Sequence, residues 1–114
     1  MLTTPAYATG QHDTVQRVVD SVVEALARAR KDKPATVALL QNYLQSQDRQ
    51  GMEAAYDFYL GSVLPALPFP KPEQFADAQK TTAATNPRAA DVRIEHIIDP
   101  SFIQSSADRG IDKR

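Results

Sequence analysis

The sequence predicts a mainly α fold: one helical unit over 1–114, with four helices followed by short C-terminal helices. Three observations carry that expectation. Apolar residues recur at three- and four-residue intervals, capping residues and prolines stand where helices would begin, and no alternating pattern long enough for a strand occurs. At 114 residues, 42% hydrophobic and 24% charged, the chain has the size and composition of one ordinary globular domain rather than those of a disordered segment.

Residues 1–12, opening MLTTPAYATG, read as an extended start. In the first helix, Val15, Val18, Val19, Val22, Val23 and Leu26 define one apolar face. Asp13 is placed to cap it, Gln16 completes a capping-box pattern, and Arg28, Arg30 and Lys31 suit the negative pole of the helix dipole. So many valines lower intrinsic helix propensity, so this helix needs tertiary burial. Pro34 opens a second helix with Val37, Leu40 and Leu44 on its face, widened by Leu39 and Tyr43. Asp48 is the expected cap of a third, carrying Met52, Ala55, Tyr56, Tyr59, Leu60 and Val63, with Gly51 and Gly61 weakening its ends.

LPALPFPKPE then places Pro65, Pro68, Pro70 and Pro72 at near-alternate positions, making 64–72 a proline-rich connector. Pro65 to Pro68 meets the bare PxxP requirement for a polyproline II ligand. Leu64, Leu67 and Phe69 are too apolar for an exposed docking peptide, so Leu67 and Phe69 are expected to be substantially buried. Prolines suit a strap crossing a surface, because they remove freedom from the unfolded chain. Pro72, Glu73 and Gln74 open a fourth helix with Phe75, Ala78, Gln79 and Thr82, stopped by Pro87. Asp91 is expected to cap a short turn bearing Ile94, Ile97 and Ile98. Pro100 opens a last helix with Phe102 and Ile103, ended by Gly110.

Charge and composition exclude several functions. A net charge of -1, from 13 basic and 14 acidic residues, offers no field for nucleic acid. No apolar run approaches the roughly 20 residues that cross a bilayer, so membrane insertion is not expected. No export signal is expected from the opening residues MLTTPAYATG. The absence of cysteine removes disulfides, thiolate metal sites and cysteine nucleophiles.

The chemistry-bearing residues form no convincing constellation. His12 and His96 are the only histidines, beside Asp13 and Glu95, with Asp99 three residues beyond His96. That spacing supplies two metal ligands at most, whereas zinc needs three. Ser101, Ser105 and Ser106 lie outside any nucleophile setting such as G-x-S-x-G. Glu53 and Asp57 read as a solvated face, and Tyr56 and Tyr59 as half-buried packing residues with hydroxyls at the rim, though aromatic side chains also line ligand clefts. No residue is assigned to catalysis, to a metal or to a cofactor.

Three stretches in order carry a family resemblance: HDTVQRVVDSVVEALARARKDKP, the tyrosine helix MEAAYDFYLGSVLPALPFPKPE, and NPRAADVRIEHIIDPSFIQSSADRGID. Together they resemble the C-terminal part of periplasmic solute-binding proteins of ABC transporters, in the nitrate, sulfonate and taurine branch that includes thiamine-precursor binders. The most specific pieces are IIDPSFIQ followed by Gly-Ile-Asp, and the LPxLPFP connector. The resemblance implies a two-lobed α/β (type II) parent protein closing on a small anionic or heterocyclic solute, of which this chain is the closing segment and not an enzyme. The implied partners are the remaining lobes, the ABC permease and the solute. The implied location is periplasmic within the parent protein, and cytoplasmic for the chain made alone. No residue here matches a ligand-contact motif of that family, so ligand-binding residues remain unassigned. The alternative is a free-standing interaction module that pairs through the valine face of its first helix.

Overall fold

The computed structural model describes residues 1–114 and contains six α-helices and no strand. The helices are α1 (Pro5–Gly10), α2 (His12–Lys31), α3 (Lys33–Leu44), α4 (Arg49–Phe58), α5 (Ala76–Thr85) and α6 (Ser101–Asp108). The mainly helical expectation holds, but the extended start does not. Thr4 is in the extended region and its Oγ1 accepts from Tyr7 N at 3.2 Å, while Pro5 occupies the first turn of α1. A capping threonine followed by proline is a helix start, because proline's missing N–H is one that the first turn leaves unpaired anyway.

The long helix α2 begins at His12 without a side-chain cap, so Asp13 lies in its first turn and does not precede it. Gln16 caps nothing; its amide turns inward to α6. The buried stripe of α2 is Val15, Val19, Val23 and Ala27, at four-residue steps. The three valines pack with Phe102 and Ile103 of α6 and with Ile111, forming the core against which Ala8, Leu67 and Phe69 lean. Val18 and Val22, on the adjoining stripe, stay 46% and 47% exposed. The valine face is thus split between a covered half and an open half.

Asp32 starts α3 by accepting from Ala35 N at 3.0 Å. Only Val37 of α3 is buried, and Leu39, Tyr43 and Leu44 lie exposed. Asp48 caps α4 as expected, accepting from Gly51 N at 2.8 Å. A side chain at Gly51 would collide with that carboxylate, so the glycine makes room for the cap. From Tyr59 to Val63 the helix loosens into a π turn closed by Leu64 N donating to Tyr59 O at 2.7 Å. Arg30 reaches across from α2, and its Nη2 donates to the carbonyls of Leu60 (3.1 Å) and Leu64. Tyr56 does the reverse, its hydroxyl donating to Ala29 O at 2.8 Å near the end of α2. These exchanges tie α4 to α2 by satisfying terminal carbonyls.

The connector leaves the π turn extended at Leu64 and crosses to the core, with Leu67, Pro68, Phe69 and Pro70 half-buried. Leu67 and Phe69 therefore pack, though less deeply than expected, while Pro65 and Ala66 face solvent. Pro72–Phe75 form a 3₁₀ turn leading into α5, which ends at Asn86, held extended before Pro87. Asp91 closes a 3₁₀ turn over Pro87–Asp91 and caps nothing further on; the Ile94–His96 turn starts at Arg93 without a side-chain cap. Gln79 Nε2 donates to the carbonyls of Ala89 (2.8 Å) and Val92 (2.7 Å), so this part folds mainly on itself.

The chain ends on a turn that the core requires. Gly110, at φ 67°, sends the backbone left-handed after α6, and the following Ile111–Lys113 turn drives Ile111 into the core. Glycine adopts that conformation without the steric penalty of a Cβ. Gly110→Ala is expected to cost about 1 kcal/mol in unfolding free energy; an unchanged urea midpoint would contradict this. The radius of gyration is 17.1 Å, against roughly 13 Å for a compact chain of this length. Only nine of the 114 residues are buried, eight of them apolar.

Candidate functional site

The helices bring few chemistry-bearing side chains together. His12 stacks on Phe102 with ring centroids 4.8 Å apart and planes 32° from parallel, so it extends the α2–α6 seam. Asp13 lies 3.8 Å from its Nδ1 and is almost fully exposed. His96 is exposed at the end of its 3₁₀ turn. Asp99 is engaged locally, its Oδ1 accepting from Ser101 N (2.9 Å) and Oγ (2.5 Å) and so fixing the first turn of α6. No group of three or more His, Asp or Glu side chains is placed to hold a metal ion.

Glu53 and Asp57 each close an ion pair on the surface, with Arg49 at 2.9 Å and Lys33 at 2.5 Å, which fits a solvated face. The two tyrosines part company. Tyr56 is half-buried with its hydroxyl bonded to α2 and the Lys33 ammonium 5.4 Å from its ring centre. Tyr59 is exposed and meets Phe58 edge-on at 5.3 Å. One open surface depression, about 420 Å³, is lined by Ala38, Gln41, Asn42, Gln45, Ser46 and Gln47. It offers amides and one hydroxyl, with no charge and no aromatic surface.

The one densely connected polar cluster lies between α2 and α6, on residues that sequence reasoning did not join. Asp20 Oδ1 accepts from Gln16 Nε2 (2.9 Å), Ser106 Oγ (2.7 Å) and Arg109 Nη2 (2.7 Å), while Oδ2 accepts from Arg109 Nη1 (2.8 Å). Gln16 Nε2 also lies 3.0 Å from Phe102 O and 3.3 Å from Ser106 Oγ. The two Arg109 bonds, chiefly, hold the Asp20 carboxyl at about 2, below its ordinary 3.8; burial opposes them, and Ser106 and Gln16 add to the lowering. The same pairing raises the Arg109 guanidinium above its ordinary value. Ser106 is fully buried. A hydroxyl without access to solvent, bonded to so weak a base, is no nucleophile. The cluster is a lock that fixes α6 on α2, and its one sequence signal was a carboxylate set directly beside the valine stripe.

No protein-family model, curated protein or solved structure matches this chain.

Proposed function

We propose that the chain is the helical C-terminal segment of an ABC-transporter solute-binding protein of the nitrate, sulfonate and taurine type. The observation that carries the reading is how little the helices cover one another: Leu39, Tyr43, Leu44, Phe58 and Tyr59 lie exposed around a core of eight apolar residues. Such faces fit helices that complete a larger body, and the three ordered stretches named above say which. In this role the segment braces the lobes and does not itself hold solute. The amide-lined depression supports that division, since an anionic solute needs a cation or converging N–H donors, and a heterocycle an aromatic or apolar wall. The parent protein would deliver its solute to the permease in the periplasm.

Two measurements test this reading. The DNA flanking the Met1 codon is expected to encode the two α/β lobes, with permease and ATPase genes beside them; neither being present overturns the reading. In calorimetric titrations the chain alone is expected to bind none of nitrate, taurine, an alkanesulfonate or a pyrimidine, and the lobe-bearing protein to bind one of them. Micromolar binding by the chain alone contradicts the division of labour.

A second reading, an interaction module that pairs through the valine face, is favoured by one observation. Val18 and Val22 remain open on a 20-residue helix whose other valines are covered.

A further inference from the structure

We infer that this open face of α2 takes a second copy of the chain, the two α2 helices running antiparallel about a two-fold axis midway between Asp20 and Ser21. The inference rests on the second reading for the choice of face and is independent of the solute-binding proposal. Residues Thr14, Val18, Ser21, Val22 and Ala25 fall on one side of α2 at 3.6 residues per turn and are all exposed. The opposite side is committed to α6 and Ile111. Beyond Arg28 the helix end is occupied, because the carbonyls of Ala29 and Arg30 receive Tyr56 and Arg30 itself reaches to Leu60. The free length therefore runs from Asp13 to Arg28.

Charge selects the partner and the register. Along one flank of the open face stand Asp13, Arg17, Glu24 and Arg28, all exposed. None of Arg17, Glu24 and Arg28 has an ion-pair partner within 4.0 Å, and Asp13 has only His12. In an antiparallel two-fold pair the same flank of both helices meets. The axis between Asp20 and Ser21 sets Arg17 level with Glu24 of the second copy, and in the same register sets Asp13 level with Arg28. Four opposite-charge pairs then close symmetrically around a centre of small residues and valines. In a parallel two-fold pair the same flank of the two helices falls on opposite sides of the seam, and these charges would not meet. That single register satisfies both pairs is what fits the face to this chain itself. One helix pair falls short of the roughly 1,200–2,000 Å² of stable interfaces, so association is concentration-dependent and weakens with salt.

Sedimentation equilibrium of the full chain, with far-UV dichroism to check helicity, tests the register. The wild type is expected to pass from monomer to dimer over micromolar concentrations. Arg17→Glu is expected to weaken dimerisation at least tenfold, and Arg17→Glu combined with Glu24→Arg to restore it. Arg17 and Glu24 are seven residues apart, too far along the helix to interact within one copy, so restoration requires two copies. As the chain has no cysteine, Ser21→Cys is further expected to yield a disulfide-linked dimer on mild oxidation, and Thr81→Cys none. A dimer insensitive to Arg17→Glu but lost in Val22→Asp overturns the register and leaves pairing through the valines standing. A wild type that stays monomeric throughout overturns both.

Discussion

Ile111→Ala is expected to lower the unfolding free energy of the chain by about 3 kcal/mol, the middle of the range for emptying a buried isoleucine site. Ile111 is 1% exposed and meets Val15, Val19, Val23, Phe102 and Ile103 in the only sizeable apolar cluster. With so few buried residues, no second layer can collapse into the space. The cavity also loosens the last turn, which Lys31 steadies by donating from Nζ to the carbonyls of Lys113 (3.1 Å) and Arg114. Urea unfolding followed by far-UV dichroism measures the loss, with Ile97→Ala as reference. Ile97 is exposed, and its truncation is expected to change stability by less than about 0.5 kcal/mol. Equal effects at the two isoleucines would place the core elsewhere.

Ile111 also shows where sequence reading stopped. It follows Gly110 as a lone apolar residue in a polar tail, so no period marks it; its burial follows from the left-handed turn that brings the tail back over α2. Regular features were legible: the helical spacing of the valines, the Asp48 cap and the stop before Pro87 all reappear in the structure. The start of the chain carried a legible signal, Thr4 before Pro5, whose capping meaning prevails over an extended reading. Spacing alone could not tell which half of the valine face would be covered. Val15 and Val18 obey the same helical period, and α6 settles the matter by lying over only one of them.

The polar cluster was illegible for a related reason. The bonds that Gln16 and Asp20 make to Phe102, Ser106 and Arg109 span 86 to 90 residues, and nothing local announces that α6 will return to α2. The residues that could be paired by eye, such as Glu95 with His96, stay local and exposed. Bonds that span the chain hold this fold, and they join polar residues without any repeating pattern.

Asp20 supplies the prediction in which those long-range bonds become measurable. In the folded chain its carboxyl titrates near 2, and in the unfolded chain near the ordinary 3.8. The unfolded state therefore binds the proton first as pH falls, and folding loses most of the contribution of the charged form between about pH 5 and pH 2. Above about pH 5 the contribution is complete and independent of pH. The fall from 3.8 to about 2 corresponds to about 2 kcal/mol, and with a fifth of the side chain exposed the solvent trims that figure but does not remove it. Asp20→Asn keeps the shape, removes the charge and gives up the two-bond grip of Arg109. It is expected to be less stable than the wild type by about 2 kcal/mol at neutral pH. The two proteins should then converge as the pH approaches 2, because the wild type loses by protonation what the variant never had. Arg109→Gln should produce much of the same loss, since the guanidinium is the first cause of the lowered carboxyl. Urea midpoints at intervals from pH 7 to about pH 2 measure this directly. A stability difference that stays constant down to the lowest pH would mean that Asp20 acts through shape alone, and that its charge does not hold α6 against α2.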